Sequence, residues 1–191
     1  MLPQVSDSGD ESPDPVDIAA SLAGDAAAYG RLVGRYQSSI GQYLWRFSRD
    51  KGVCEELAQT VFVEAYFSLG TFQGRSPFWS WLKVIATRTG YRHWRTQGRH
   101  RQRGDVTLEV AGAVASEGPD ASQQTVQKEE VERLVRTMDQ LPPRDRLVLT
   151  LMYLEEHSVA EIAALTGWSQ TLVKVQAFRA RNKLKKLMGV K

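Results

Sequence analysis

The chain has 191 residues, of which 42% are hydrophobic and 25% charged, a composition typical of a soluble globular protein with one domain or two small ones. The single cysteine, Cys54, excludes an internal disulfide, and the three histidines are too scattered for a zinc site. No stretch has the pattern of a signal peptide or the ~20 apolar residues of a membrane span. We therefore expect a cytoplasmic protein without direct membrane insertion.

The net charge of +3 hides a strong segregation of charge along the chain. Residues 1–30 contain no lysine or arginine, whereas residues 65–104 and all residues after Glu161 contain no acid. Within 65–104, basic residues are interleaved with aromatic rings, a combination that binds phosphates and stacks on exposed bases. The same run also fits a solvated helix face beside an aromatic core, so by itself it leaves both interpretations open. Asymmetry of this kind favours a polyanion as partner.

The first fifty residues predict an acidic tail followed by two helices. Residues 1–16 carry three prolines among serines and acids, which is typical of a disordered tail. A short helix is expected at 17–23. Asp25 suits the N-cap of the next helix, in which apolar residues from Leu32 to Phe47 recur about every 3.6 positions.

The third predicted helix spans residues 53–69, after a turn at 49–52. It carries two adjacent apolar stripes, Val53-Leu57-Val61-Ala65 and Ala58-Phe62-Tyr66, at helical spacing. A helix with two such stripes packs on more than one neighbour, so we expect it at the centre of a small bundle.

The fourth predicted helix begins at Ser76 and Pro77, a serine N-cap followed by proline at the first helical position. Tyr91 and Trp94 flank a line of arginines along it. The spacing of four, three and four residues places these arginines on one face: Arg88, Arg92, Arg95 and Arg99. Aligned like charges destabilise a helix by roughly a few tenths of a kcal/mol per pair unless something neutralises them. The line therefore favours a functional role over a solvated face.

Residues 101–126 predict a flexible linker, because glycine, proline, serine and acids interrupt every helical period. We therefore expect an all-α protein with two small helical domains at 17–100 and 127–188, joined by this linker.

The second domain predicts a helix-turn-helix near the end of the chain. Leu141-Pro142-Pro143 separates two helices, and Ser158 with Glu161 forms the S-x-x-E capping box of a short third helix. Gly167 ends that helix, and Ser169 caps a basic last helix. This arrangement of helix, short turn and helix is typical of DNA-binding domains, although it also occurs in proteins that bind no DNA.

The basic composition of the last helix favours DNA. Lys174 and Arg179 can reach guanine acceptors in a major groove, and Val175 and Phe178 can contact thymine methyl groups. The N-terminus of the helix at Ser169 also suits a phosphate, because its free amides and its dipole attract an anion.

Five stretches follow one another in a specific order across the predicted linker: 24–29, 56–62, 72–86, 141–146 and 173–181. Together they resemble bacterial RNA polymerase sigma factors of the extracytoplasmic-function (ECF) group, over about residues 24–188. The resemblance implies that the first helical domain, called region 2 in this family, binds the clamp helices of the largest polymerase subunit and opens the −10 promoter element. The second helical domain, called region 4, is implied to read the −35 element and to contact the polymerase flap. The resemblance also implies control by an anti-sigma factor.

The resemblance assigns candidate residues to three surfaces. The −10 DNA-binding surface comprises Phe72, Gln73, Gly74, Arg75, Ser76, Arg88, Tyr91, Arg92, Trp94, Arg95 and Arg99. The −35 DNA-binding surface comprises Ser169, Thr171, Lys174, Val175, Gln176, Phe178, Arg179 and Arg181. The polymerase-binding surface comprises Glu55, Glu56, Leu57, Gln59, Thr60 and Phe62. No catalytic residue, cofactor, metal or small-molecule substrate is expected.

Three positions depart from the family pattern. Thr60 stands where a carboxylate is usual, Val175 where a small hydroxyl residue is usual, and Gln176 where arginine is usual. Because glutamine can read adenine where arginine reads guanine or a phosphate, we predict a shifted −35 preference.

Two other functions remain as alternatives. An independent helix-turn-helix regulator would bind DNA as a dimer without polymerase, but the chain has no recognisable dimerisation heptads, and residues 56–62 and 65–104 would have no role. A helical enzyme lacks support, because no paired-carboxylate, Ser–His, metal or glycine-rich phosphate pattern occurs. Co-purification with core polymerase separates the first alternative from a sigma factor.

Overall fold

The computed structural model describes residues 13–103 and 133–189, and its regular elements there are all helical. The N-terminal domain consists of four helices and one 3-10 turn: α1 Asp14–Leu22, α2 Ala26–Leu44, α3 Lys51–Ser68, the turn Leu69–Thr71, and α4 Phe78–Arg103. The C-terminal domain consists of α5 (residues 133–139 in the described part), α6 Pro143–Leu149, a π-helical turn Thr150–Leu154, α7 Val159–Thr166 and α8 Gln170–Met188. Apart from the end of α4, the predicted linker lies outside the described residues.

Local hydrogen bonds begin α2, α7 and α8 at the caps that the sequence predicts, whereas α4 begins at Phe78 and not, as predicted, at Pro77 after a Ser76 cap. The Asp25 carboxylate accepts from the backbone amide of Ala27 at 2.8 Å, and the Ser169 hydroxyl accepts from that of Leu172 at 3.2 Å. The capping box of Ser158 and Glu161 is present in full at the start of α7. Gly167 ends α7 with a φ of 75°, a left-handed conformation that glycine adopts without strain. The predicted helix-turn-helix is therefore confirmed.

The first helix is longer than the sequence indicates, because it begins at Asp14 rather than at residue 17. The carboxylates of Asp14 and Asp17 are buried against α2, where both bind the guanidinium of Arg35. Arg31 also pairs with Asp17 at 2.7 Å. Hydrogen bonds from the two arginines lower the pKa of Asp17, so it stays ionised. Residues 14–16 thus belong to the folded domain and not to the predicted tail.

The core of the N-terminal domain forms where α2, α3 and α4 meet. Fully buried aliphatic side chains come from all three helices: Leu32, Ile40, Leu44, Val61, Ala65 and Leu82. Three residues after α2 ends, the ring of Phe47 lies directly on the backbone of α4 at Gly90, so closely that a Cβ atom there would overlap the ring. Gly90 therefore permits the close approach of α2 and α4.

The core of the C-terminal domain lies between α6, α7 and α8, and its buried side chains include Leu147, Val148, Leu151, Ile162, Val173 and Ala180. Between α6 and α7 the chain forms a π-helical turn, which the sequence pattern does not predict. Single π-helical turns occur often at functional sites. Among the described helices, none has the length and apolar character needed to cross a bilayer.

The two domains contact each other along α4, which packs against α6 and α7. At this junction a Cβ atom on Gly98 would lie 3.3 Å from Cγ of Pro143, and the rings of Tyr91 and Trp168 have centroids 6.3 Å apart. Helix α4 is therefore both a core helix of the N-terminal domain and the surface on which the C-terminal domain rests.

We expect Gly90→Ala to lower the free energy of unfolding by about 1–3 kcal/mol, because the new methyl group must displace the Phe47 ring. Gly34→Ala, in the exposed middle of α2 with no atom near the new methyl group, should raise it by about 0.5–1 kcal/mol through helix propensity. Denaturant titrations followed by circular dichroism measure both changes. Equal effects of the two substitutions would contradict the close contact.

Candidate nucleic-acid and polymerase interfaces

The loop before α4 exposes polar side chains next to a cluster of packed aromatic rings. The ring of Phe72 is half-buried and packs against Phe78 and Trp81, with centroids 5.5 and 5.6 Å away. The next four residues, Gln73, Gly74, Arg75 and Ser76, are exposed, and Gly74 turns the chain with a φ of 65°. The loop can therefore offer hydrogen bonds and a cation to an unpaired nucleotide beside rings that are already held in place.

The four arginines aligned on α4 differ in whether a carboxylate pairs with them. Arg88, Arg95 and Arg99 are exposed, and within the described ranges none of them pairs with a carboxylate. Arg92 differs, because its guanidinium pairs with Glu64 of α3 and donates to the Thr89 hydroxyl at 3.0 Å. A carboxylate from the neighbouring helix therefore compensates the charge of Arg92, and the assignment of this residue to the −10 surface stays a prediction.

Trp94 is not available to DNA, so its assignment to the −10 surface is wrong. The side chain is 3% exposed, and the indole Nε1 donates to the carbonyl oxygen of Phe47 at 2.7 Å. Trp94 follows Gly90 by one helical turn and continues the buried stripe of Phe78, Leu82 and Ala86. This continued stripe is the signal in the sequence that identifies it as a core residue.

Four of the predicted polymerase-binding residues are exposed on α3: Glu55, Glu56, Gln59 and Thr60. The other two, Leu57 and Phe62, are half-buried against the core. The exposed face continues toward the end of α3 with apolar residues that the sequence analysis missed: Val63, Tyr66 and Phe67, which are 54%, 50% and 83% exposed. Tyr66 fits the apolar period of the helix, which is why the pattern places it in the core. We call Glu55, Glu56, Gln59, Thr60, Val63, Tyr66 and Phe67 the α3 face.

One side of α8 gathers most of the predicted −35 residues. Lys174, Val175, Phe178 and Arg179 are exposed on neighbouring turns, as are Thr171 and Arg181. The two apolar side chains of this face are unusually exposed to solvent, Val175 at 40% and Phe178 at 59%. Arg181 donates to the hydroxyl of Tyr153 at 2.9 Å, while the hydroxyl of Ser169 is used as the helix cap. The exposed face therefore combines cations with apolar contacts, as a major-groove reader requires.

Gln176 does not belong to this face, and the prediction that it reads adenine is wrong. Its side chain is buried, and its amide nitrogen donates to the carboxylate of Asp145 on α6. Lys183 binds the other oxygen of that carboxylate at 2.5 Å, and Asp145 itself is 1% exposed. Gln176 follows Val173 by three residues and precedes Ala180 by four, so helical periodicity already places it on the buried stripe.

The junction between the domains is basic. A cleft of about 260 Å3 lies between α4 and the start of α6, and three arginines line it together with Tyr91 and two prolines: Arg95, Arg99 and Arg144. Nearby, the guanidinium of Arg146 lies 4.0 Å from the ring centroid of Trp94, and Arg46 pairs with Glu155. Burial lowers the pKa of both His93 and His157, so the two imidazoles are neutral at pH 7.

Within the described ranges, no group of three or more histidines, cysteines and carboxylates is arranged to hold a metal ion. The thiol of Cys54 is buried and lies 3.3 Å from the carbonyl oxygen of Ser48, and burial raises its pKa. The side chains that remain exposed can bind nucleic acid and protein through charge, stacking and apolar contact.

Comparison with known proteins agrees with this division into two domains. The family model described as Sigma-70 region 2 matches residues 32–100, and the model described as Sigma-70, region 4 matches residues 131–184. The RNA polymerase sigma-H factor of Pseudomonas aeruginosa is 34% identical over 170 residues, which cover 86% of this chain and 88% of that protein. The ECF RNA polymerase sigma-E factor of Escherichia coli K12 is 32% identical over 173 residues, 88% of this chain and 90% of that protein.

Two solved structures have the same fold. CnrH, in complex with the cytosolic domain of CnrY, has a TM-score of 0.54 and 23% identity, covering 94% of this chain and 99% of that one. The sigma factor RpoE from Bartonella quintana, in complex with the anti-sigma factor NepR, has a TM-score of 0.55 and 22% identity, covering 85% and 98%.

A helical N-terminal domain with a basic, aromatic loop and a C-terminal helix-turn-helix define a transcription-initiation factor of the sigma-70 type. Within that class, the chain belongs to the ECF group of RNA polymerase sigma factors. Its N-terminal domain is region 2 and its C-terminal domain is region 4. As a sigma factor, it binds core RNA polymerase and promoter DNA.

We expect Gln176→Arg to leave the −35 base preference unchanged, because the new guanidinium can pair with Asp145 inside the domain. Lys174→Ala, on the exposed face, should instead relax the preference at one position, with a loss of about 1–3 kcal/mol for the preferred base. Selection from a promoter library randomised at the −35 element, with core polymerase present, compares the two variants. A new preference in Gln176→Arg would show that this side chain reaches DNA.

Proposed function

We propose that the chain divides promoter recognition between the two exposed surfaces of its domains, and that it binds core polymerase through the α3 face. The loop at 72–76 would hold an unpaired base of the −10 element, and α8 would read the −35 duplex. The observation that carries the proposal is the exposed set of cations and apolar side chains on α8, together with a polar loop above fixed rings.

Opening a duplex requires a surface that binds unstacked bases better than paired ones. The loop meets this requirement through exposed groups at Gln73 and Arg75, while Phe72 is held against Phe78 and Trp81. The rings need no reordering when a base arrives, which lowers the entropic cost of binding. Arg88, Arg95 and Arg99 extend the same domain with cations that can follow the phosphate backbone.

Reading the −35 element needs only duplex contacts. Lys174 and Arg179 are proposed to bind guanine acceptors, and Val175 and Phe178 to contact thymine methyl groups. Ser169 and Thr171, at the start of the 19-residue helix α8, can hold a phosphate through the amides of the first turn. Arg181 already binds Tyr153, so we assign it to positioning rather than to base reading.

The α3 face suits the polymerase, because it joins a polar part to an exposed apolar end. Glu55, Glu56, Gln59 and Thr60 supply charge and hydrogen bonds, while Val63 and Phe67 supply apolar area on the same side of the helix. Thr60 replaces the usual carboxylate of the family, and its hydroxyl is occupied by the carbonyl oxygen of Glu56. We therefore assign the main contribution to binding to Phe67.

Two further aspects complete the proposal. The protein acts in the cytoplasm without catalysis of its own, since polymerase carries out the chemistry. It is held inactive by an anti-sigma factor, as the complex of RpoE with NepR supports for a protein of this fold.

An independent dimeric regulator is the alternative, and it requires strong site-specific DNA binding by the chain without polymerase.

Lys174→Ala combined with Arg179→Ala should abolish the −35 footprint, whereas Gln73→Ala combined with Arg75→Ala should keep that footprint and lower promoter opening about tenfold or more. Footprinting and permanganate reactivity at −10, both with core polymerase, measure the two effects. Lys186→Ala is the control, because it removes a cation from the last turn of α8 and should weaken binding without changing sequence preference. Loss of footprint and opening together in both double variants would argue against divided recognition.

Phe67→Ser should weaken binding to core polymerase by about tenfold or more, the size expected when a central aromatic contact is removed from an interface. Val16→Ser is the matched control, because Val16 is 72% exposed on α1, away from the α3 face. Fluorescence anisotropy with labelled protein and core polymerase gives both dissociation constants. If the two substitutions weaken binding equally, the α3 face is not the polymerase surface.

A further inference from the structure

Two aspartates in the first turn of α1 are buried against α2, but they differ in one partner. The side chains of Asp14 and Asp17 are 8% and 6% exposed, and Arg35 binds one oxygen of each carboxylate. The other oxygen of Asp17 accepts from Nε of Arg31 at 2.8 Å, whereas the other oxygen of Asp14 accepts from the hydroxyl of Tyr36. Asp14 therefore joins the ion pairs between α1 and α2 to an aromatic ring.

The hydroxyl of Tyr36 is held as a proton donor by its surroundings. Burial raises the pKa of the Tyr36 phenol far above its ordinary value, and the neighbouring Asp14 carboxylate raises it further. A hydrogen bond from a hydroxyl to a carboxylate is stronger than one between neutral groups. Because α2 holds one end of the side chain and Asp14 the other, the orientation of the Tyr36 ring depends on Asp14.

The Tyr36 ring forms one side of the aromatic cluster beside the loop at 72–76. It stacks on Trp79 with the ring planes 6° apart and the centroids 6.1 Å apart, and it packs on Phe78 with centroids 5.5 Å apart. Phe78 is 4% exposed and meets Phe72 nearly at right angles. Since Phe72 begins the loop and Phe78 follows it by two residues, the cluster fixes both ends of the loop.

Helix α1 also supports the loop in a second way, which does not involve Tyr36. The last residue of α1, Leu22, reaches the 3-10 turn before the loop, where a Cβ atom on Gly70 would lie 3.9 Å from its Cδ2 atom. In the same turn the amide of Phe72 donates to the carbonyl oxygen of Leu69 at 3.0 Å. This support requires only that α1 stays docked on α2, and both aspartates contribute to that docking equally.

We propose that Asp14 is a positioning residue for −10 recognition: it orients Tyr36, which through Phe78 holds Phe72 and the loop at 72–76 ready for an unpaired base. This inference rests on the proposed function of that loop. Rings that are already ordered lower the entropic cost of binding a base. Loss of the Asp14 contact therefore weakens base capture, while the α3 face and α8 are unaffected.

Asp14→Asn and Asp17→Asn form a matched pair for the test. Each removes one negative charge from the first turn of α1 and changes one partner of Arg35. An amide has one oxygen where two donors converge, so the variant at position 14 cannot accept from both Arg35 and Tyr36. Both substitutions should lower the temperature of thermal unfolding to a similar extent, but only Asp14→Asn should disturb the aromatic cluster.

Base capture is measured with the full-length protein bound to core polymerase, on a promoter selected from a randomised library. Asp14→Asn should weaken binding of the labelled single-stranded −10 oligonucleotide and lower permanganate reactivity at −10 about tenfold, the size expected for loss of a charge-assisted hydrogen bond. Asp17→Asn should leave both near the wild-type values. The −35 footprint and the affinity for core polymerase should stay unchanged in both variants.

Tyr36→Phe provides a second variant, which keeps the ring and removes only the donor. It should reproduce the effect of Asp14→Asn. Because both changes remove the same contact, the double variant should bind the oligonucleotide no more weakly than either single variant. Circular dichroism verifies that each protein is folded.

Equal weakening of oligonucleotide binding by Asp14→Asn and Asp17→Asn would overturn the proposal, because docking of α1 alone would then explain it. Additive losses in the double variant, or wild-type binding by Tyr36→Phe, would overturn it as well. Gln73→Ala combined with Arg75→Ala, on the same oligonucleotide, separates this result from a failure of the proposed function. If that loop variant loses the oligonucleotide while Asp14→Asn retains it, only the positioning role is wrong. If the loop variant binds like wild type, the loop does not hold the base and both proposals fail.

Discussion

The contact between the Phe47 ring and the backbone of Gly90 determines how α2 and α4 approach each other, and the rest of the structure depends on it. With α4 in that position, the Trp94 ring lies 4.7 Å from the Phe47 ring, centroid to centroid, and its indole donates to the Phe47 carbonyl oxygen. Arg46, the residue before Phe47, then faces Glu155 of the other domain. One close approach, possible because Gly90 has no side chain, therefore positions the core, helix α4 and the ion pair between the domains.

Carboxylates on neighbouring helices decide which basic residues are available to a polyanion. Glu64 pairs with Arg92 across α3 and α4, and Asp145 holds Lys183 and Gln176 across α6 and α8. These pairs stabilise helix packing, since a buried carboxylate without partners would be costly. The cations that remain exposed form two separate sets, one on α4 and one on α8. This separation suits a protein that must melt DNA at one element and read a duplex at another.

The arrangement of the two domains adds a constraint that neither has alone. The C-terminal domain rests on the face of α4 that carries Tyr91 and Gly98, beside the exposed arginines of the same helix. The domain contact packs Trp168 against Tyr91 and pairs Arg46 with Glu155, while it brings three arginines together around the cleft. The junction thus combines one favourable ion pair with a cluster of like charges.

Local features of the sequence determined much of the fold. Some helix ends depend only on contacts within four residues of the chain, so the sequence predicts them directly. These are the caps at Asp25, Ser158 and Ser169 and the left-handed Gly167. The two helical domains and the exposed face of α8 follow from the 3.6-residue period in the same way. The π-helical turn had no such local signal.

Tertiary structure alone decided which partners the predicted site residues contact. Arg92, Trp94 and Gln176 find their partners 28, 47 and 31 residues away, at distances along the chain where no periodic pattern specifies a contact. Periodicity can assign Trp94 and Gln176 to buried stripes, but only packing shows what each stripe meets. The contact of α4 with α6 and α7 is of the same kind, because it joins residues whose proximity depends on how two separately cored domains dock.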